Sequence, residues 1–219
     1  MTTHFARLIV TGLFVGAAGV VSLGAQAGAG GQSTAGPKDP KPRPDLVAYP
    51  YTKADVEFMQ GMIPHHAQAV KMCTMAPTHA DRRDVKLMCE RMLVSQRDEI
   101  HLMRVWLIDR AQYVPPPDAT HHKMTMDGGM SHDMLMPGML SDEEMARLDK
   151  ARGADWDRMF LTFMIRHHQG AIKMVEDLFE SPGGAQGDDM YAFASDIFAD
   201  QTAEIERMQK LLEVKESRS

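Results

Sequence analysis

The chain lacks the positive charge that a nucleic-acid partner would require: 24 Lys and Arg stand against 30 Asp and Glu, for a net charge of −6. It is poor in cysteine, with only Cys73 and Cys89 in 219 residues, which limits it to one internal bridge. It has no apolar run after Leu23 long enough to span a bilayer. No Glu-x-x-His pair occurs anywhere, which removes the usual ligand signature of a di-iron helical bundle. No nucleophile, base and orienting group recur together, so nothing in the pattern demands an enzyme.

What the chain does have begins at its N-terminus. Arg7 precedes an apolar run from Leu8 to about Leu23, and Ala25-Gln26-Ala27 follows. That layout predicts a signal peptide over residues 1–27, cleaved after Ala27, and hence a periplasmic or secreted protein with no membrane span after cleavage. Arg7 is the only Lys, Arg, Asp or Glu lost, so the mature charge becomes −7. Residues 28–50 are Gly-rich and then Pro-rich, which reads as a tether.

From Tyr51 the apolar spacing turns helical, with Val56, Met59, Ile63, Ala67 and Val70 at three- and four-residue intervals. A breaker at 76–81 separates this helix from a second, Val85 to about Ile108, and residues 51–112 form one hairpin. Residues 113–140 show no sustained period and read as a linker. Ser141 with Glu144 is a capping box that opens the second hairpin, residues 141–216, with a break expected near Gly153.

The two hairpins are copies. Asp55–Met72 aligned on Asp157–Met174 gives nine identities in 18 positions, and at an offset of 105 Gln96, Glu99, Ile100 and Met103 match Gln201, Glu204, Ile205 and Met208. Two amphipathic hairpins bury their apolar faces best against each other. The expected fold is therefore all-α: a four-helix bundle of two repeated hairpins joined by a long crossover linker. Antiparallel helices of equal rise pair residues whose numbers have a constant sum. A turn centred near Asp81 sets Cys73 level with Cys89, and export permits a Cys73–Cys89 disulfide.

"GMIPHHAQAVKM" (Gly61–Met72) returns as "FMIRHHQGAIKM" (Phe163–Met174). Met62 lies three and four residues before His65 and His66, so the three crowd one sector of a helix. The adjacent histidines diverge by about 100°, so a complete site needs donors from the following helix, such as Met103 or Met208, or from the opposite copy. A single buried His or Met is ordinarily packing; the constellation written twice points to metal. Imidazole suits several metals, whereas thioether is soft and selects Cu(I) or Ag(I). The predicted ligands are Met62, His65, His66, Met72 and Met103 with Met164, His167, His168, Met174 and Met208. Because imidazole ligates only when neutral, binding is expected to weaken below about pH 6.5.

Methionine is abundant, with 20 residues, and the linker concentrates it. His121, His122, Met124, Met126, Met130, His132, Met134, Met136 and Met139 put nine soft or borderline donors into 19 residues. A core does not explain methionines set among Asp, Gly, Ser and Lys. The segment is expected to be a flexible secondary metal-capturing arm, distinct from the helical sites.

These two motif copies, with "SQRDEIHLM" and "DQTAEIERM" following them, resemble domain-of-unknown-function family 305 of the ferritin-like superfamily, over about residues 51–214. The resemblance implies an exported helical bundle that binds copper in homeostasis or resistance, and it falls on Met62, His65, His66, Met72, Met164, His167, His168 and Met174. One departure is Pro64, where the second copy has Arg166; inside a helix it frees the Gln60 carbonyl and kinks the axis. The expectation is a copper-binding protein, Cu(I) favoured and silver a substitute, that sequesters the metal or hands it to a copper-transfer protein. An extracytoplasmic copper oxidase or a purely structural Met-rich bundle are the alternatives; metal content and turnover with Cu(I) and oxygen separate the three.

Overall fold

The computed structural model describes residues 40–43, 51–125 and 131–216. The signal peptide, its cleavage after Ala27 and most of the tether lie outside the described residues. In chain order the elements are α1 (Lys53–Thr74), α2 (Ala76–His79), α3 (Arg83–Asp109), β1 (His122–Thr125), β2 (Ser131–Met134), α4 (Asp142–Lys150), α5 (Gly153–Glu180) and α6 (Asp188–Glu216). The fold is mostly helical, as the periodicity requires.

Capping boxes set where two helices begin: the one expected at Ser141, and a second at Thr52 that the sequence reading did not name. Thr52 Oγ1 accepts from the Asp55 amide at 3.4 Å while Asp55 Oδ2 accepts from the Thr52 amide at 2.7 Å. Ser141 and Glu144 repeat the exchange at the start of α4. Gly153, at a φ of +61°, stands between α4 and α5 where the break was expected.

α1 packs on α3, α5 on α6, and α1 on α5. Each pair runs antiparallel: Tyr51 meets Trp106 at one end of α1 and α3, and Cys73 meets Cys89 at the other. His168 meets Glu204 and Phe179 meets Tyr191 between α5 and α6. Apolar side chains between the helices form two clusters, one around Met59, Ile63, Ile100 and Leu107, the other around Val85, Met92, Trp156 and Phe160. Each such side chain contributes about 1.5–3 kcal/mol by leaving water, which outweighs the modest helix propensity of this Met-rich sequence.

The repeated aspartate of the motif locks the copies together. Asp55 Oδ1 accepts from the Ala185 amide at 2.7 Å in the turn before α6, and Asp157 accepts from the Asp81 and Arg82 amides at 3.2 and 3.1 Å in the turn before α3. Each copy thus satisfies orphan amide donors in the other copy's turn, a reciprocal bond that a linear reading treats only as an identity.

The linker is not the unstructured segment expected. β1 and β2 form an antiparallel ribbon with His122 opposite Met134 and Met124 opposite His132. α1 runs through Pro64 without interruption, and the His122 imidazole comes near the Gln60 carbonyl, which a proline four residues on leaves without an amide partner. The linker's last residues are pinned more firmly. Gln68 clamps Leu140 at both backbone atoms, accepting from its amide at 2.7 Å and donating to its carbonyl at 2.9 Å. Pro137 and Gly138 cross α5 at Gly170, where a Cβ would lie 1.8 Å from the Pro137 carbonyl oxygen.

Candidate metal centre

Four imidazoles gather where α1 crosses α5. The His65 and His167 rings are 3.8 Å apart between centroids, and His66 and His168 stand 6.3 and 6.1 Å from their neighbours in sequence. All four are at most 1% exposed. The helical divergence of adjacent residues is what splits each pair, one ring facing the opposite copy and the other the following helix.

Hydrogen bonding fixes which nitrogen carries the lone pair in three of the rings. His66 Nε2 lies 2.6 Å from Glu99 Oε2, His168 Nε2 lies 2.6 Å from Glu204 Oε2, and His65 Nε2 lies 3.0 Å from the Pro137 carbonyl oxygen. Carbonyl and carboxylate oxygens only accept, so in all three rings Nε2 is the protonated atom. The Nδ1 atoms of His65, His66 and His168 have no hydrogen-bond partner, and neither nitrogen of His167 has one. Buried polar atoms left without partners are costly unless something else engages them. A carboxylate behind the far nitrogen is also the arrangement that orients a metal-binding imidazole and raises its basicity.

Burial keeps the central pair uncharged. His65 is pushed down to about 3, chiefly by burial, with the nearby His66 and His168 adding to the shift and the Pro137 carbonyl opposing it. His167 lies well below the ordinary range, again by burial first and then by the neighbouring His65, His168 and His66. The sequence expectation that protonation begins near pH 6.5 is corrected for these two rings. They remain neutral donors well into the acid range.

All six candidate methionines of the helices are buried, and the structure regroups them. Met62 and Met103 share a cluster with Met174 of the other copy, while Met164 and Met208 share the second with Met72. Because α1 and α5 are antiparallel, the last motif methionine of one copy arrives beside the first of the other. Sequence spacing places Met62 and Met72 on one helix but cannot reveal this exchange. Among the described residues, no group of three or more His, Cys, Asp and Glu side chains is arranged to hold an ion.

The linker donors separate into three sets. Met136 sits against Gly61 beside Met174, since a Cβ on Gly61 would meet Met136 Cε at 2.7 Å and Met174 Cε at 3.3 Å. Met139 is buried, and its Sδ accepts from the Met136 amide at 3.2 Å. These two belong to the packed helices, so the expectation of one free arm from His121 to Met139 is corrected. His121 lies 3.6 Å from Asp142, and His122 comes near the Gln60 carbonyl. Met124 and His132 are on the ribbon, Met134 on its exposed edge, and Met126 and Met130 lie outside the described residues.

The predicted disulfide is also different in the structure. Cys73 and Cys89 meet at the predicted height but are free thiols. Glu99 and Glu204 were legible as a repeated pair; Gln68 and the Pro137 carbonyl gave no sequence signal, because neither is repeated.

With this geometry in hand, comparison with known proteins gives three findings. The family model described as Domain of unknown function (DUF305) matches residues 55–212. Among solved structures, a DUF305 protein of Streptomyces coelicolor that carries the name of a secreted protein is 28% identical with a TM-score of 0.60, covering 73% of this chain and 91% of its own. A DUF305 fragment from Deinococcus radiodurans is 28% identical with a TM-score of 0.60, covering 75% and 98%. CopM in its Cu(I)-bound form is 27% identical with a TM-score of 0.55, covering 75% and 97%, and CopM is also known in Cu(II)-bound and Ag-bound forms. No curated protein matches the chain.

Proposed function

This chain belongs to the DUF305 family, and from that premise we propose that it is an exported four-helix bundle of two hairpins that binds Cu(I), with Ag(I) able to replace it. The observation that carries the reading is the set of four buried imidazoles, three with an unengaged Nδ1 lone pair and His167 with neither nitrogen hydrogen-bonded. CopM, a structural relative, binds copper and silver, which supports the same metal class here. No described helix is long and apolar enough to cross a membrane.

The residues divide the task. Glu99 and Glu204 hold His66 and His168 in the tautomer that exposes Nδ1, while Pro137 does the same for His65. Met62, Met103 and Met174 on one side and Met164, Met208 and Met72 on the other supply soft sulfur, which favours the monovalent ion. The ribbon residues Met124, His132 and Met134, with His121 and with Met126 and Met130 of the same stretch of sequence, form a weaker exchange segment through which metal is acquired or passed on. The buried setting suits sequestration with slow release, and a copper-transfer protein is the partner this reading calls for.

The test is replacement of His65, His66, His167 and His168 together by Ala, with helix content checked by circular dichroism. Anaerobic Cu(I) competition should show the tight class weakened at least about 100-fold, or roughly 2.7 kcal/mol. A folded variant of unchanged affinity would sink the assignment.

A further inference from the structure

The turn end of the first hairpin holds sulfur chemistry that the histidine cluster does not use. Cys73 lies in the last turn of α1, Cys89 and Met92 lie one turn apart on α3, and each is 1% exposed. The Cys73 thiol donates to Met92 Sδ at 3.8 Å and also meets the Cys89 thiol. Thiols and thioethers are weak hydrogen-bonding groups, so mutual attraction is a poor reason to bring three sulfurs together. The second copy supplies the control. Its equivalent positions are Val175, Ala194 and Ile197, all buried. The same packing problem is therefore solved there with hydrocarbon alone.

We propose that Cys73, Cys89 and Met92 form a second metal site, an all-sulfur site for a monovalent soft cation, Cu(I) or Ag(I), built into the first copy only. Metal–thiolate bonds of about 2.3 Å place the sulfurs of a trigonal or tetrahedral centre roughly 3.8–4.0 Å apart. The Cys73–Met92 separation of 3.8 Å already has that value. Sulfur donors without oxygen or nitrogen select Cu(I) over calcium, magnesium or Cu(II). The site lies seven residues along α1 from His66, roughly 10 Å of helix axis, and its occupancy does not depend on the imidazoles. Metal entry moves protons and no electrons: each cysteine that becomes a thiolate releases one proton to water, and copper keeps its oxidation state.

The second copy also supplies the variant. Cys73→Val, Cys89→Ala and Met92→Ile together copy its residues into the first hairpin. In an anaerobic Cu(I) titration of the reduced chain, this variant should bind one ion fewer than the parent and lose the ultraviolet thiolate-to-Cu(I) absorption, while the remaining ions stay. With no more than one equivalent of Cu(I), the four-histidine variant should hold the ion with sulfur alone in its copper shell by X-ray absorption, because the linker donors bind more weakly. Met92→Leu, which retains both thiols, should lower affinity for that ion at least tenfold. Equal stoichiometry and equal absorption in the triple variant, or unchanged affinity in Met92→Leu, would overturn the site. Neither result bears on the imidazole reading, which fails only if the four-histidine variant keeps its other tight ions.

Discussion

The two motif copies carry the same His-His pair, the same first and last methionine and the same aspartate, yet they differ where one might expect equivalence. Gln68 of the first copy stands where the second has Gly170, and Pro64 stands where the second has Arg166. Three of these positions bear on the linker, and the fourth, Arg166, on the start of α4 where the linker ends. Gln68 clamps Leu140 and Gly170 admits the Pro137 backbone; Pro64 releases the Gln60 carbonyl to His122, and Arg166 pairs with Glu144 at 2.6 Å. The difference teaches a geometric rule. Two helices can be related by a near-twofold axis, but a single crossover chain cannot, so the copies must diverge wherever that chain rests on them. The positions that diverge least are those facing the shared imidazole cluster.

The largest effect should come from acid, and it asks whether the two central histidines behave alike. Their folded-state pKa values are depressed, so the unfolded chain binds protons more readily. The stability they contribute is present above the unfolded value of about 6.5 and is lost as the pH falls toward the folded value, about 3 for His65. At about 1.4 kcal/mol per pH unit, His65 alone accounts for on the order of 4–5 kcal/mol by pH 3. Urea unfolding of the metal-free chain from pH 7 to 4 should show this slope, and His65→Asn and His167→Asn should each flatten it. A slope that responds to only one of them would break the equivalence of the copies.

Gly170→Ala comes next, since its Cβ meets backbone rather than a flexible side chain. A cost of about 3 kcal/mol is expected in chemical denaturation, against about 2 kcal/mol for Gln68→Ala, which leaves the Leu140 amide and carbonyl without partners.

Glu99→Gln and Glu204→Gln sharpen the equivalence rather than the difference. An amide no longer forces Nε2 to be the donor, and loss of such a partner weakens metal binding about 10- to 100-fold. Both variants should lose similar Cu(I) affinity by competition titration; loss from only one would show that a single half of the cluster binds. The smallest effect belongs to Pro64→Ala. It restores an amide to Gln60 and releases His122, so global stability should move by about 1 kcal/mol or less, while amide exchange over His122–Thr125 accelerates. Unchanged exchange there would show that the ribbon needs no anchor on α1.

Much of this was legible in the residues. The three- and four-residue spacing of Val56, Met59, Ile63 and Ala67 determines a helix with one buried face, and the Ser141 and Glu144 pair marks the start of α4. The repeat itself marked His65 and His167 as equivalent positions in the two copies. The ribbon escaped because His122–Thr125 and Ser131–Met134 are short and have no clear alternation, so their pairing depends on an anchor elsewhere. The free arm was an error of the same kind: nothing in the stretch from Met136 to Leu140 announces that Gln68 and Gly170 will hold it.

Helix positions, the duplication and the donor types follow from periodicity and side-chain chemistry within a few residues. The rest depends on how the helices close on one another. The antiparallel crossing of α1 on α5 brings His65 against His167 and exchanges Met72 with Met174 between the two thioether clusters. The partners behind the rings decide which nitrogen is left free, and the linker's path decides where the copies differ. These are relations between residues far apart in the chain, set by how helix faces fit when they close on one another. Local spacing carries no information about them.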